Sequence, residues 1–370
     1  MSRRRWACHR KPSRPLGYRP GPIRNASPSR LHRLTPRTGR DLDRVLSGLP
    51  SRSGQRRRAR SNRRRRAKAH LMKAASGPPG IATRGAMSRA VAVCHGPFGR
   101  VSIYDLDRPM VVHAHREAHL IFFLDGSRGL VTVNDHMVRV DPFMGVAVNP
   151  WEPHNFQPEQ PGSFGLFLVI YLKPEWLAAQ TMPSAGSLVF PSSELVVTRE
   201  LAAWRDQAVE MLLSQHRDLN LAPVLMALAQ ASSEPIGPEL VSSLLHDTSA
   251  GALDRRVLRA CRLLEQHTSS EGALAQIARE AGLSRAHFFK LFRQQVGVTP
   301  TIFANTARID AALERIVLSS EPVTSISHRL GFSGQSVFTR FFTAHVGMAP
   351  RDYRRVLRTV SLPQAQASHV

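Results

Sequence analysis

The sequence predicts an α+β protein of several domains: a disordered basic tail, a small antiparallel β-barrel with helices, and an all-α domain with tandem helix-turn-helix units. Three observations predict this class. Basic residues crowd the first 86 positions, short β-like segments follow, and a helical pattern repeats near the end. The 370 residues suffice for about two to three domains with cores of their own. The expected boundaries are 1–86 for the tail, 87–180 for the barrel, 181–252 for a helical region, 253–358 for the helix-turn-helix domain and 359–370 for a C-terminal tail.

The net charge of +24 is unevenly distributed along the chain. Residues 1–86 hold 25 basic and 2 acidic residues, residues 87–252 hold 10 and 17, and residues 253–370 hold 16 and 8. This distribution excludes a protein that coats nucleic acid along its whole length. Three well-separated cysteines form neither a disulfide framework nor a cysteine-based zinc site. This cysteine usage fits a reducing compartment. Apolar segments are too short to span a bilayer, so we expect no membrane partner.

The basic tail is rich in Arg, Pro, Ser and Gly and has almost no helical or strand period. Such a composition buries too little apolar surface to offset chain entropy, so we predict disorder. Three interpretations of its arginine runs are open: a nucleic-acid-binding arm, an organelle transit segment, and codons upstream of a native start at Met87. Regular patterning begins directly after Met87, which favours the third interpretation.

From Val91 onward, short apolar runs are separated by turn residues, a pattern typical of an antiparallel barrel or sandwich. The Asn134-Asp135 pair joins two alternating runs as a hairpin turn would. The predicted strands are Val101–Tyr104, Leu120–Leu124, Leu130–Val133, Met137–Val140, Gly145–Val148 and Phe164–Leu172. The period becomes helical from Glu175. A helix over Ser193–Ser214 would align one apolar side, formed by Leu201, Trp204, Ala208, Met211 and Leu212.

Four histidines stand out in the barrel segment: His113, His115, His119 and His154. In a strand, the first two would point to the same face, because side chains alternate with a period of two. The pattern resembles the cupin family over about residues 100–172. That family's first motif is His-x-His, then a Glu, then a Gly, and its second carries a Pro, a Gly and a His. The corresponding positions here are His113, His115, His119 in place of the Glu, Gly126, Pro142, Gly145 and His154.

Two interpretations of these histidines are open. Neutral imidazoles are ligands for Zn, Fe, Ni or Cu, so the set could hold a divalent metal. Alternatively, a metal-free barrel could enclose one small ligand, with Trp151 and Tyr104 as candidate walls. The missing carboxylate, for which Glu117 is a weak substitute, argues against a two-His-one-carboxylate iron site. We therefore expect a ligand pocket and no required cofactor, and keep the divalent metal as the alternative.

A repeat of about 50 residues organises the end of the chain. Each copy predicts a helix, a short turn and a second helix. Gly282 and Gly331 would end the first helices with a positive φ, and Ser284 and Ser333 would cap the second helices. The second copy has one residue more than the first between its turn glycine and its first core phenylalanine. The inward faces of the second helices would carry Phe288, Leu291 and Phe292 in copy one and Phe338, Phe341 and Phe342 in copy two.

The outward faces of these second helices point to double-stranded DNA as a partner, because a helix-turn-helix presents its second helix to a major groove. The candidate DNA-binding residues are Arg285, Ala286, Phe289, Lys290, Gln335, Ser336, Thr339 and Arg340. Gln335 and Arg340 are the main candidates for base contacts, since Gln and Arg bind adenine and guanine edges in a bidentate way. Four other arginines are candidates for phosphate contacts or solvated charges: Arg293, Arg351, Arg354 and Arg355.

Thr301–Leu318, between the copies, contains neither Pro nor Gly and predicts one continuous helix. At about 1.5 Å per residue, such a helix spans nearly one DNA turn of roughly 34 Å. The two DNA-facing helices would then reach successive major grooves.

Residues 257–355 strongly resemble the AraC/XylS family of transcription regulators. The motifs that carry the resemblance include Ile277-Ala278, Gly282-Leu-Ser284, Gly297-Val-Thr-Pro300, Gly331-Phe332-Ser333, Gln335-Ser336 and Tyr353-Arg354. The resemblance implies a bacterial, cytoplasmic and often dimeric activator or repressor, with an N-terminal cupin-like sensor for a small-molecule effector. An activator would also contact RNA polymerase. Two positions depart from the family pattern: Arg315 stands where Leu is usual, and Ala286 stands where larger base-contacting residues are common.

We expect a ligand-responsive transcription regulator and no enzyme activity. Helices of about 193–245 would mediate homodimer formation and pass the signal. Two alternatives are a metal-dependent cupin enzyme with a separate regulatory domain, and a non-specific architectural DNA binder driven by the arginine-rich tail.

Overall fold

The computed structural model describes residues 88–180, 190–214, 220–233, 254–266 and 273–360, all within one compact unit. The predictions for the tail 1–86, for a start at Met87 and for residues 361–370 lie outside the described residues. In the described ranges, we find no helix that is both long and apolar enough to cross a membrane.

The β-strands of the described ranges form two sheets. Their bounds are β1 (Arg89–Gly96), β2 (Gly99–Leu106), β3 (Met110–His113), β4 (Ala118–Gly126), β5 (Gly129–Val133), β6 (His136–Val140), β7 (Met144–Val148), β8 (His154–Pro158), β9 (Gly165–Leu172), β10 (Glu194–Val196) and β11 (Leu357–Thr359). One sheet has the order β10-β7-β4-β9-β2-β1-β11, and the other has the order β3-β8-β5-β6. The predicted α+β class with an antiparallel β domain is confirmed, and each predicted strand has its counterpart.

The inner faces of the two sheets share one apolar core. Tyr104 and Phe167 from the larger sheet join Val131 and Phe156 from the smaller one. The predicted hairpin turn is confirmed, because Asn134 lies between β5 and β6 with a φ of 53°. Strand β9 is buried at every position, since its inner side faces this core and its outer side is covered by helices.

Those helices are α1 (Pro174–Gln180), α2 (Arg199–Leu213) and α3 (Ala222–Ser232). The predicted start of a helix at Ser193 is wrong, because residues 194–196 form β10 and pair with β7. Helix α2 begins only after Thr198, whose hydroxyl accepts a hydrogen bond from the Leu201 N–H at 3.2 Å. Leu201, Ala208 and Leu212 are buried on one side, as predicted, against the outer face of the larger sheet.

The C-terminal part consists of helices with short connections. Their bounds are α4 (Arg255–Gln266), α5 (Ala273–Glu280), α6 (Arg285–Val296), α7 (Pro300–Leu318), α8 (Val323–Arg329), α9 (Gln335–Val346) and α10 (Pro350–Val356). The helix pairs α5–α6 and α8–α9 are the two predicted helix-turn-helix units. Their turn glycines have the expected positive φ, 68° at Gly282 and 72° at Gly331. Helix α7 is continuous over 19 residues, which confirms the predicted connector.

The C-terminal helices are not a separate module from the barrel. Strand β11 crosses the expected boundary at residue 358 and pairs in parallel with β1. Helix α10 contributes Tyr353, which is completely buried. The Tyr353 hydroxyl lies 2.6 Å from His95 Nε2 and accepts a hydrogen bond from Arg100 at 3.4 Å.

His95 gives this junction a pH dependence. Burial, with Arg100 and Lys173 nearby, lowers the pKa of His95 to about 3. Its pKa in an unfolded chain is about 6.5, so between these pH values the unfolded state binds one proton more than the folded state. The stability contributed by neutral His95 is therefore present above pH 6.5 and is lost as the pH falls toward 3.

We predict that His95→Gln makes the free energy of unfolding less dependent on pH. The slope between pH 6 and 4 should fall by up to about 1.4 kcal/mol per pH unit, the value for one proton. The glutamine oxygen can still accept a hydrogen bond from Tyr353, so the loss at pH 7 should be small. Urea denaturation at a series of pH values measures the slope. An unchanged slope would contradict the assignment of a neutral, buried His95.

Candidate nucleic-acid interface and buried histidine cluster

Helix α6 presents a polar face to solvent. Ser284 caps it as predicted, its hydroxyl accepting a hydrogen bond from the His287 N–H at 3.3 Å. Arg285, Ala286 and Lys290 are exposed. Phe289 is half-buried, with its ring edge-on to the core residue Phe288 and with the Arg285 guanidinium 5.7 Å from its centroid. The apolar and cationic side chains of this face therefore lie side by side.

Helix α9 presents the corresponding face of the second unit. Ser336 and Arg340 are exposed, and Gln335 and Thr339 are half-buried. The Thr324 hydroxyl on α8 donates to the Gln335 side-chain oxygen at 2.6 Å, so the first helix of the unit orients this side chain. The structure thus places all eight predicted DNA-facing residues on two helix surfaces with access to solvent.

The prediction that Ser333 caps α9 is wrong. The N-cap of α9 is Gly334, which has no side chain to accept a hydrogen bond. The reason is the residue inserted in the second copy, which moves the helix start one position past the serine that corresponds to Ser284. The first helix-turn-helix turn is therefore closed by a side chain, and the second depends on contacts elsewhere.

The other basic residues of the region differ in their surroundings. Arg293 lines an open groove of about 560 Å³ on α6, together with Lys290 and Gln294. Arg354 donates to the Glu321 carbonyl oxygen at 2.6 Å, and Arg355 pairs with Asp352 at 3.0 Å. Arg354 and Arg355 therefore already have partners within the protein, and the predicted phosphate contacts would compete with these partners. Arg315, the departure from the family pattern, lies 3.6 Å from the Glu321 carboxylate at the end of α7.

Sequence reasoning missed several exposed side chains on the two helix faces. They are His287 and Gln294 on α6 and Val337 on α9. Helical spacing alone could have identified Gln294, which lies four residues after Lys290.

In the barrel, the four predicted histidines come together in the interior. All are buried, with exposed fractions between 2% and 7%. The His154 ring centroid lies 4.4 Å from that of His113, 5.2 Å from that of His115 and 4.5 Å from that of His119. The register explains this convergence, because His113 of β3 is paired directly with His154 of β8. His115 follows β3 and stays buried, although the strand itself ends at His113.

Backbone contacts define the tautomers of two of these rings. His113 Nδ1 lies 2.6 Å from the Val111 carbonyl oxygen, and His154 Nδ1 lies 2.8 Å from the Glu152 carbonyl oxygen. A carbonyl oxygen only accepts hydrogen bonds, so both Nδ1 atoms carry the proton and both Nε2 atoms carry a lone pair. Among the described residues, the Nε2 atoms of His115 and His154 and both ring nitrogens of His119 are buried without a hydrogen-bond partner.

The cluster is electrically neutral at ordinary pH. Burial, together with the neighbouring histidines, holds the pKa values of His113, His115 and His119 well below the usual range. Burial lowers the pKa of His154 to about 4. Neutral imidazole is the form that binds metal ions.

The space beside the cluster is small. A cavity of about 30 Å³ is bounded by histidines and by core side chains, among them Tyr104, Met110 and Tyr171. Tyr104 is therefore a wall, as predicted. Trp151 is not among the residues that line this cavity. It stacks on Phe303 of α7 at 5.1 Å with an interplanar angle of 6°, and its backbone has a positive φ of 65°.

The donor set fits a divalent transition metal. One ligand nitrogen from each of His113, His115 and His154 lies within 4.8 Å of the others. The Nδ1 contacts of His113 and His154 to backbone carbonyls are the usual outer partners of metal-binding histidines. A set made of imidazole nitrogens suits Zn, Cu, Fe or Ni and not the oxygen-preferring Mg²⁺ or Ca²⁺. Glu117 is half-buried and does not join these nitrogens.

Comparison with known proteins gives matches to regulators. A family model described as a helix-turn-helix domain matches residues 277–356. The "Probable transcriptional regulator LumQ" of Photobacterium leiognathi is 25% identical over 256 residues, which cover 68% of this chain and 95% of that protein. An uncharacterized HTH-type transcriptional regulator of Staphylococcus aureus is 24% identical over 224 residues, which cover 60% of this chain but only 29% of that protein. An apo ToxT variant from Vibrio cholerae has a TM-score of 0.43 at 14% identity, with coverage of 70% and 97%.

Two helix-turn-helix units joined by one helix, with polar faces open to solvent, define a DNA-binding transcription regulator. Its C-terminal part resembles the AraC/XylS family of such regulators, and the match to the helix-turn-helix family model falls on the same residues, 277–356.

The different caps of the two units lead to a matched pair of stability predictions. Ser284→Ala removes the hydrogen bond that caps α6 and should lower the free energy of unfolding by about 1 kcal/mol. Ser333→Ala removes no cap and should change it by less than about 0.5 kcal/mol. Chemical denaturation of both variants measures the difference. Equal losses in the two variants would contradict the assignment of Gly334 as the N-cap of α9.

Proposed function

We propose that this regulator reads two successive major grooves with α6 and α9 and that an effector bound in the barrel controls its DNA affinity. The observation that carries the DNA-binding half is the pair of exposed helix faces at the two ends of one continuous connector, α7. Nineteen residues at about 1.5 Å each give roughly 28 Å, close to the 34 Å of one DNA turn. Both faces can therefore engage one side of a duplex.

Control by the barrel is supported by the contacts that the C-terminal helices make with it. Arg116, directly after the histidine pair, bridges Glu265 of α4 at 2.7 Å and Asp310 of α7 at 3.1 Å. Trp151 stacks on α7 through Phe303. An effector that favours one arrangement of the barrel over another shifts the DNA-binding helices through these contacts, to the extent of its differential affinity.

We also propose that the protein acts as a homodimer. The apolar sides of α2 and α3 are already buried against the barrel, so the dimer surface has to use other residues. Phe143, 78% exposed, and Val196, 63% exposed, lie together at the β10 edge of the larger sheet and are suited to that role. An activator would in addition contact RNA polymerase.

We predict that Gln335→Ala combined with Arg340→Ala abolishes preferential binding to a cognate duplex. Each good bidentate contact contributes about 1–3 kcal/mol of base discrimination, so the pair should lose at least about 30-fold in specific affinity. The duplex is obtained by selection from random DNA with the full chain and should contain two short motifs about 10–10.5 base pairs apart. Fluorescence anisotropy at fixed salt measures the affinities.

Arg128→Ala is the matched control for charge, since Arg128 is an exposed arginine on the barrel. It should bind the selected duplex as tightly as the wild type. A chain that begins at Met87 should also retain specific binding. If instead specific binding survives in the double variant or disappears with residues 1–86, the assignment of the two recognition helices is wrong.

A further inference from the structure

We propose that the effector is a divalent late first-row transition-metal ion held by His113, His115 and His154, and that Thr306 and His345 pass its binding to the DNA-binding helices. This inference rests on the proposed function and identifies the chemistry of its effector. The sensor would thus respond to an inorganic cation and not to an organic molecule.

The tautomers of the cluster determine which charge it can bind. Because His113 and His154 carry their protons on Nδ1, their Nε2 atoms are bare lone-pair donors, and one nitrogen of each ring lies within 4.8 Å of one nitrogen of His115. Lone pairs attract a cation and repel an anion. Burial without protein partners leaves the His115 and His154 Nε2 atoms with unmet hydrogen-bonding capacity among the described residues, and a metal ion would satisfy it.

The volume of the barrel interior also favours an ion over an organic molecule. Pockets for organic ligands typically occupy about 300–1,000 Å³. The cavity beside the cluster holds about 30 Å³, enough for an ion and one water molecule. The side chains around it are closely packed, so an organic effector would have to displace core residues such as Phe156 and Phe167.

Metal binding would move the histidine segment. In a tetrahedral site with Zn–N distances of about 2.0–2.1 Å, ligand nitrogens lie about 3.4 Å apart. The three nitrogens here lie within 4.8 Å of one another, so their separations have to shorten by up to about 1.4 Å. Ion binding therefore draws His113, His115 and His154 of β8 closer together. His119, whose ring is 4.5 Å from that of His154, stands where a fourth ligand could bind.

The segment that moves is held by the connector helix. Ala114, between the two ligand histidines, is buried, and its carbonyl oxygen accepts a hydrogen bond from the Thr306 hydroxyl of α7 at 2.9 Å. Ala114 also packs in the core of the first helix-turn-helix unit, with Phe288 and Phe292. A shift of the histidine segment would therefore change the position of α7 and the packing of the core on which α6 rests.

The second recognition helix contacts the same strand at both ends. His345 of α9 is 8% exposed, and its ring centroid lies 6.5 Å from that of His113. Its Nδ1 donates to the Phe341 carbonyl oxygen at 2.8 Å, which fixes the ring on the helix. At the other end of β3, Met110 packs against Gly347, the residue that terminates α9. The strand that carries the first ligand is thus the surface on which α9 rests.

One fixed charge near the cluster opposes a cation. Arg100 is buried with its guanidinium 3.6 Å from the centroid of the Tyr171 ring, and that ring also contacts His115 and His119. The Arg100 hydrogen bond to Tyr353 directs the guanidinium toward α10. Three nitrogen ligands have to outweigh this repulsion, and an arginine at this place makes the site selective for ions that bind imidazole strongly.

The first test is metal binding by the full chain. We expect one Zn²⁺ per chain in equilibrium dialysis and X-ray absorption spectra with about three imidazole nitrogens at about 2.0–2.1 Å. His154→Ala should bind Zn²⁺ at least about tenfold more weakly, since even the loss of an outer partner costs 10–100-fold. The matched control is His136→Ala, an exposed barrel histidine paired with Glu194 at 3.1 Å, which should bind like the wild type.

The X-ray absorption spectrum tests the site even if His154→Ala does not fold. A spectrum with sulfur ligands would place the ion at a cysteine, and this result would overturn the proposal. Absence of stoichiometric binding, or equal affinities for wild type and a folded His154→Ala, would overturn it as well.

The second test measures coupling. Saturating Zn²⁺ should change the affinity for the selected duplex by at least about fivefold, and the duplex should change Zn²⁺ affinity by the same factor. Thr306→Val and His345→Leu should keep Zn²⁺ affinity within about threefold of wild type while the coupling factor falls toward 1. His136→Leu should leave both quantities unchanged.

Failures of the two proposals are distinguishable. Stoichiometric Zn²⁺ binding without any selected duplex would contradict the proposed function and leave the metal site standing. Specific DNA binding that ignores Zn²⁺, or full coupling in both variants, would overturn the proposed route from the ion to the helices.

Discussion

The contact between the segment His113–Arg116 and helix α7 is the constraint on which the rest of the structure depends. Four residues place two histidines in the barrel interior, a carbonyl oxygen against Thr306 and a guanidinium between Glu265 and Asp310. Because the segment contacts both the barrel interior and the C-terminal helices, neither can rearrange there alone. Packed interiors are stiff, so small shifts at such a junction are transmitted and not absorbed.

The two helix-turn-helix units are attached to the barrel in different ways. The core of the second unit is continuous with the barrel interior, since Phe338, Phe342 and Tyr353 belong to the same apolar cluster as Tyr104 and Phe167. The first unit has its own core and meets the barrel through Ala114 and Trp151. Strand β11 adds a backbone link after the second unit. The second of the two proposed recognition helices is therefore the one joined more directly to the barrel.

Much of the architecture could be predicted because it depends on local patterns. The strands, the Asn134 turn, the two turn glycines and the continuous α7 follow from side-chain periodicity and from turn chemistry that neighbouring residues decide. Errors arose where pairing or an insertion overrode the local pattern. Residues 194–196 fit a helical period, yet they pair with β7 because an open strand edge and a buried place for Leu195 were available there.

The histidines show which features follow from the sequence and which follow only from the tertiary structure. The sequence by itself determined that four imidazoles share one barrel, that two helix-turn-helix units follow, and that Gln335 and Arg340 face outward, because spacing decides each of these. Only the tertiary structure decided which ring nitrogens are bare, that Trp151 leaves the pocket for Phe303, and that His345 and Thr306 reach the histidine segment. These facts join residues that lie about 150 to 230 positions apart in the chain. Such contacts arise from packing between distant segments, for which the sequence carries no periodic signal.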